Sequence, residues 1–228
     1  MYTLIKEKFN VIDHVKKTNN KSPPNHLQTI LDGFSMFNWP MFTDENSLTD
    51  MITEYHANVA FYGNKVLKLK QEKDEAWVNA YSDLCLEFKN FAVKNATGLW
   101  CWNAKGNDTS GFEEWFDAAS ATDKLTDFSF MSSISGGSGD VAPATSGAAP
   151  RRAGKDLAAE FASACEPKIK AWREAAAALN IAQVTKATEQ YISCIGYQAA
   201  LLRTMGKFKK PADTNFIKEP YTPIAADL

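Results

Sequence analysis

Apolar residues recur at the spacing of an α-helix wherever the chain is apolar, and this periodicity constrains the fold most. Between residues 47 and 70, the apolar positions are Leu48, Met51, Ile52, Tyr55, Val59, Tyr62, Val66 and Leu69. Steps of three and four residues place such positions on one face of a helix. No stretch shows the sustained alternation of a half-buried strand. The sequence therefore predicts an all-α protein.

The same period, read with capping and breaking residues, predicts where the helices lie. Asn25 is the expected cap of the second helix, Ser47 with Asp50 forms an acidic variant of the capping box, and Pro167 predicts a kink or a restart. A short helix is also expected over 111–118. The main helices are predicted over residues 3–17, 25–39, 47–70, 74–97, 156–179 and 181–205.

Residues 132–154 read SSISGGSGDVAPATSGAAPRRAG and consist mostly of Ser, Gly, Ala, Pro and Thr. This composition buries too little apolar surface to offset the entropy of ordering it, so it predicts a flexible linker. Two interpretations follow. The linker separates two domains, or it joins two halves of one domain.

The two ends of the chain favour the second interpretation. Thr222 and Pro223 look like a helix start only two turns before the last residue, whereas the first helix has no capping signal. If Met1 is placed after Leu228, one apolar stripe continues through Ile224, Leu228, Leu4, Ile5, Phe9 and Ile12. We therefore expect a single domain over residues 1–228, circularly permuted, in which the linker 132–154 connects residues 1–131 to residues 155–228.

Three motifs carry a family resemblance. FYGNKVLK at 61–68, AWVNAYSDL at 76–84 and ATGLWCW at 96–102, in this order, resemble the helical N-terminal domain of cyclase-associated protein, an actin-turnover factor. NHLQTILDGFSMFNW at 25–39 is similar to the preceding helix of that domain. Residues 1–131 resemble the C-terminal half of the family domain and residues 155–228 its N-terminal half, while the aromatic residues of 103–131 have no place in the family pattern.

The resemblance implies an antiparallel six-helix bundle that acts by binding. The expected function is to bind cofilin-decorated actin filaments at the pointed end and to promote their disassembly. Actin and cofilin are the implied partners, a homodimer is expected, and the implied location is the cytoplasm, at the actin cytoskeleton. The alternative is a structural or scaffolding bundle, a signalling adaptor for adenylyl cyclase or SH3-type partners.

Composition and the absence of known catalytic motifs argue against several other classes of function. A formal net charge of -2 argues against nucleic-acid binding, and apolar stretches shorter than about 20 residues argue against membrane insertion. The N-terminus lacks the apolar stretch of a signal peptide, which indicates an intracellular protein. The acidic pairs Glu113 with Glu114 and Asp123 with Asp127 are expected in solvated turns. We therefore predict no enzyme.

Histidine and cysteine spacing also argues against a metal or cofactor site. The three histidines, His14, His26 and His56, share no motif and are expected on the surface or on helix faces. Three of the four cysteines fall on apolar helix faces and are expected to be buried thiols. The cysteines are Cys85, Cys101, Cys165 and Cys194. No metal or cofactor is predicted.

Surface recognition is the remaining route to function. The candidate partner-binding residues are Asn64, Lys65, Lys68, Lys70, Lys73 and Trp39. The lysines suit an acidic partner surface, and the alternative for each of them is a solvated face. Asn64 is expected either to bond a neighbouring helix or to face the partner. Trp39, at a helix end before Pro40, is either a core residue or an interface anchor.

Overall fold

The computed structural model describes residues 3–18, 23–42, 45–95 and 157–204, and these residues are almost entirely helical. The helices are α1 (Thr3–Thr18), α2 (Pro24–Phe34), α3 (Glu45–Leu67), α4 (Glu72–Lys94), α5 (Leu157–Leu179) and α6 (Ala182–Thr204). A 3-10 helix, Ser35–Met41, continues directly from α2. The described residues contain no strand. The all-α prediction is confirmed.

Several predictions concern residues outside these ranges. They are the linker 132–154, the aromatic segment 99–131 with its short helix 111–118, the helix start at 222–228, Cys101, and the acidic pairs at 113–114 and 123–127. These features stay predictions.

The observed helix boundaries differ from the predicted ones by a few residues. Asn25 does not cap α2, because Pro23 is the cap residue and Pro24 takes the first helical position, where its missing N–H costs nothing. Residues 35–39, predicted as the end of an α-helix, form a 3-10 helix that contains Pro40. Pro167 does not restart a helix, since α5 continues through it with Cys165 and Ile169 buried on either side.

Neighbouring helices pack in a closed circuit. Along the chain α1 packs on α2, α2 on α3, α3 on α4, α4 on α5 and α5 on α6, and α6 returns to α1. Helices α4 and α5 run in opposite directions, since Lys94 pairs with Glu160 at 2.7 Å and Lys168 with Asp83 at 3.2 Å. The buried residues of the helices on both sides of 96–156 belong to one hydrophobic core.

Aromatic side chains occupy the centre of this core. The rings of Tyr81 and Trp172 stack with their centroids 4.3 Å apart, and the ring of Tyr191 stands nearly perpendicular to both. The Tyr81 hydroxyl donates to the Ile30 carbonyl (3.1 Å) and the Tyr191 hydroxyl donates to the Gly33 carbonyl (3.2 Å). Both buried hydroxyls are therefore satisfied, and both bind α2.

Gly33 allows this close approach. A Cβ atom at this position would lie 1.9 Å from the Tyr81 hydroxyl oxygen and 3.3 Å from the Tyr191 ring. Neither tyrosine can withdraw easily, because both rings are fully buried between other aromatic rings. The absence of a side chain at Gly33 therefore sets the distance between α2 and its neighbours.

We expect the substitution Gly33→Ala to lower the free energy of unfolding by about 2–3 kcal/mol, because the new methyl group overpacks a rigid site. Gly196→Ala is the matched control, since a Cβ atom there meets no atom of the other described residues within 4 Å. It should leave stability unchanged or raise it by up to about 1 kcal/mol through helix propensity. Urea unfolding measures both, and equal effects of the two substitutions would contradict this account.

Candidate partner-binding surface

Five of the six predicted binding residues lie together where α3 ends and α4 begins. Asn64 and Lys65 belong to the end of α3, Lys68 and Lys70 to the connecting turn, and Lys73 to the first turn of α4. Lys65 is half-buried and the other four are exposed. Because these residues are close in the sequence and one tight turn joins α3 to α4, four cations lie on a single surface.

The turn has a defined backbone. The N–H of Leu69 donates to the Val66 carbonyl (2.9 Å), and the N–H of Lys70 donates to the Leu67 carbonyl (3.1 Å). Lys70 adopts a left-handed conformation with φ of 55°, which ends helix α3 and redirects the chain into α4. The side chains of the turn therefore project from an ordered reversal.

Lys65 is held by two aromatic rings. Its ammonium nitrogen lies 4.6 Å from the centroid of the Phe61 ring and 4.1 Å from that of Tyr62. The two rings meet edge to face with their centroids 5.1 Å apart. Both distances are within the range of a cation–π interaction, which restrains the lysine, and no carboxylate of the described residues forms an ion pair with it.

Two exposed apolar side chains flank these cations. Phe61 is 58% exposed and Leu69 is 50% exposed, and among the described residues only Val11 and Leu86 are comparable large apolar side chains. The predictions overlooked Phe61, although it stands out of phase with the apolar stripe formed by Val59, Tyr62 and Val66. Exposed aromatic and aliphatic side chains next to cations are typical of interface centres.

We call this set the α3–α4 surface: Phe61, Asn64, Lys65, Lys68, Leu69, Lys70 and Lys73. Asn64 is exposed, which favours the partner-facing alternative for this residue. The exposed carboxylates of Glu72 and Glu75 lie in the first turn of α4, so the positive charge is concentrated on the α3 side and in the turn.

Trp39, the sixth predicted residue, lies elsewhere. It is fully buried in the 3-10 helix, with its ring edge-on to that of Phe91 at 6.0 Å. The structure therefore places Trp39 in the core and outside the α3–α4 surface.

A buried polar pair lies at the start of α4, one residue from Lys73. His26 Nε2 and Asp74 Oδ1 are 3.0 Å apart, and both side chains are at most 4% exposed. The Trp77 ring lies against the imidazole, with centroids 5.0 Å apart. Of the two predicted settings for His26, surface or helix face, the structure shows a helix face, since His26 lies on the buried face of α2. Its partner 48 residues away allows the imidazole to be buried.

The described residues offer little for covalent or metal chemistry. Burial raises the pKa of the Cys85 thiol to about 12 and raises the pKa values of Cys165 and Cys194 further. These three buried thiols, predicted from their helical phase, stay protonated near neutral pH. The part of the chain that the structure describes contains no group of His, Cys, Asp and Glu side chains arranged to hold a metal ion.

Among the residues that the structure describes, no helix combines the length and the apolar composition needed to cross a membrane.

The described helices form a bundle with a surface of lysines and exposed apolar side chains. Residues 1–99 match the family model described as CAP, N-terminal domain. The match confirms the resemblance to cyclase-associated protein for this segment, which includes the whole α3–α4 surface. Neither the search of curated proteins nor the search of solved structures found a match.

We expect His26→Ala to lower the free energy of unfolding by about 2–4 kcal/mol, because the Asp74 carboxylate would be left buried without a partner. His56→Ala, at a half-buried position on α3, is the matched control and should cost less than about 1 kcal/mol. Urea unfolding gives both values.

Asp74→Asn and the double variant complete a thermodynamic cycle for the pair. The coupling free energy between positions 26 and 74 should exceed about 1 kcal/mol. Additive effects of the two substitutions would show that the hydrogen bond contributes nothing to stability.

Proposed function

We propose that this protein binds cofilin-decorated actin filaments at the pointed end and promotes filament disassembly and actin turnover by binding alone. The match of residues 1–99 to the CAP N-terminal domain family model implies a cyclase-associated, actin-related role. The observation that carries the proposal is the α3–α4 surface, because it combines cations that form no ion pair with another described residue and exposed apolar anchors inside the matched segment.

The proposed mechanism is differential binding. A protein that binds the strained or released form of a terminal filament subunit more tightly than the docked form lowers the barrier to its release. About 1.4 kcal/mol of such preference accelerates release tenfold. The cations of the α3–α4 surface supply attraction to an acidic protein surface, and Phe61 and Leu69 supply apolar area that is already exposed in the free protein.

The arrangement of Lys65 supports this assignment. Its ammonium group is restrained over two rings, so less side-chain entropy is lost when a partner carboxylate binds it. The neighbouring lysines 68, 70 and 73 are exposed and contribute mainly to the rate of association and to salt dependence. A cytoplasmic location at the actin cytoskeleton, and a homodimer, belong to the same proposal.

The proposal extends to the order of the chain: residues 155–228 and 1–131 form one domain whose two halves are circularly permuted. The packing of α5 on α4 and of α6 on α1 supports it, since it joins both halves in one core. A reordered chain, with residues 155–228 placed before residues 1–131, should retain the helical circular-dichroism spectrum. Loss of cooperative unfolding in the reordered chain would contradict a permuted single domain.

The function is tested by following the disassembly of actin filaments with and without cofilin. We expect acceleration only when cofilin is present, and about a tenfold loss of it in Lys65→Ala/Lys68→Ala, since two interface charges are removed. Lys170→Ala/Lys186→Ala is the matched control, because both lysines are exposed on α5 and α6. No acceleration by the parent protein would contradict the proposal, whereas cofilin-independent bundling would favour the scaffolding alternative, with adenylyl cyclase or SH3-type partners.

The apolar anchors have a separate test. Phe61→Ala should reduce binding to cofilin-decorated filaments by about 2 kcal/mol, the cost typical of truncating an aromatic anchor, while leaving thermal stability nearly unchanged. Leu86→Ala, which truncates a 42% exposed leucine on α4, should change neither quantity. Co-sedimentation with filaments measures the binding, and equal losses in both variants would exclude a specific role for Phe61.

A further inference from the structure

One side of helix α3 is exposed from residue 50 to residue 68 in a single stripe. Its residues recur at alternating steps of four and three, which place them on one line along a helix. All six are exposed, and the Phe61 side chain is 58% exposed. Lys68 continues the last helical turn, since its N–H donates to the Asn64 carbonyl (3.3 Å). We call this set the α3 stripe: Asp50, Glu54, Ala57, Phe61, Asn64 and Lys68.

The elements that pack on α3 leave the α3 stripe uncovered. Among the described residues, α3 packs on α2, on the 3-10 helix and on α4. Its fully buried positions, Ile52, Val59 and Val66, lie on the side of the helix opposite the stripe. The stripe therefore faces away from the core along its whole length.

Charge is segregated along the stripe. Asp50 and Glu54 are four residues apart, Lys65 and Lys68 are three apart, and residues 55–63 contain no Asp, Glu, Lys or Arg. Like charges at these spacings are neighbours on a helix and repel each other. No Lys or Arg lies within four residues of either acid, and neither acid forms an ion pair with another described residue. The acidic half and the basic half are thus left unbalanced within α3.

The helix dipole does not account for this segregation. It favours acidic side chains in the first turn of a helix and basic ones in the last turn, and it acts only within those turns. Helix α3 begins at Glu45, so Glu54 lies in its third turn. The dipole also gives no reason for the exposed Phe61 ring between the two charged halves. A partner with the opposite order of charges accounts for both features.

A second copy of the same helix has that order of charges when it runs antiparallel. A two-fold axis at the level of Val59 aligns the stripe with itself in layers of the kind found in coiled coils. The facing pairs are then Asp50 with Lys68, Glu54 with Asn64, and Ala57 with Phe61. The small Ala57 side chain leaves room for the Phe61 ring of the other copy. Parallel alignment places like charges opposite each other, and an antiparallel shift of one heptad leaves both acids without a cation.

We propose that α3 binds the α3 helix of a second copy of this chain, antiparallel about a two-fold axis, through the α3 stripe. The stripe is roughly 27 Å long and carries one large apolar side chain per copy, so the contact is small and reversible. It covers Phe61 and Lys68, which also belong to the α3–α4 surface. Self-association and filament binding therefore exclude each other, a consequence that rests on the proposed function.

Sedimentation equilibrium measures the self-association without any other partner. We expect the parent protein to shift from monomer to dimer as its concentration rises, and to do so less readily at about 500 mM than at about 50 mM salt, because exposed charge pairs are screened. A protein that stays monomeric up to about 1 mM, or a dimer that salt does not weaken, would contradict the proposal.

Charge reversal distinguishes this contact from any other dimer contact. Asp50→Lys and Lys68→Asp each replace two attractive contacts by repulsive ones, so each variant alone should self-associate about tenfold less tightly than the parent. In an equimolar mixture of the two variants, both facing pairs again join opposite charges. The mixture should therefore associate as tightly as the parent, which also shows that both variants fold.

Glu166→Lys and Lys170→Glu are the matched controls, because both residues are exposed on α5. Each control should dimerise like the parent, alone and in the mixture. The α3 stripe is excluded as the contact if the mixture of Asp50→Lys and Lys68→Asp stays as weak as the separate variants. The same holds if the control substitutions weaken association equally.

The competition is tested in the filament assay with cofilin. Asp50→Lys retains every residue of the α3–α4 surface, so it should match the parent well below the dissociation constant of the dimer. Well above that concentration it should act about 2–5 times more strongly per molecule, because more of it is monomeric. Equal activity at both concentrations would overturn the competition. If neither protein accelerates disassembly, the proposed function fails, while sedimentation still decides whether the copies associate.

Discussion

Two tyrosine hydroxyls hold the centre of this protein together, and the rest of the described structure depends on them. Tyr81 of α4 and Tyr191 of α6 each donate to a backbone carbonyl of α2, at Ile30 and Gly33. Apolar packing alone would allow helix α2 to lie at several depths between its neighbouring helices. The two hydrogen bonds select one depth, because displacing α2 would leave buried hydroxyl and carbonyl groups without partners.

The placement of the α3–α4 surface follows from that centre. Along α4, the Tyr81 ring stacks on Trp77, and Trp77 packs on His26, which bonds Asp74 in the first turn. The start of α4 is therefore attached to the start of α2 through a continuous series of buried contacts. Because Lys73 is next to Asp74 in the chain, these buried contacts fix the position at which the α3–α4 surface begins.

The surface itself is built differently from the core. Lys65 is restrained by two aromatic rings, and no ion pair with another described residue fixes it. Such a residue can adjust to a partner at small cost, whereas a paired and buried lysine cannot. A defined backbone and an adjustable charge are thus combined in one turn.

Sequence alone determined the helices, the apolar faces and the buried thiols, because each depends on residues three or four apart. Helix ends were less certain, because Pro40 lies inside a 3-10 helix and α5 continues through Pro167 without a restart. The motifs around residues 61–84 carried the family resemblance, which the match over residues 1–99 confirmed.

Only the tertiary structure decided which polar groups meet. His26 is buried because Asp74 lies opposite it, and the Tyr81 and Tyr191 hydroxyls are buried because carbonyl groups of α2 accept their hydrogen bonds. A periodic pattern predicts which face of a helix is buried but does not predict what that face contacts. Helix packing decides which electrostatic partners meet, even when they are 48 residues apart in the chain. It thereby also decides which charges stay exposed to a partner protein.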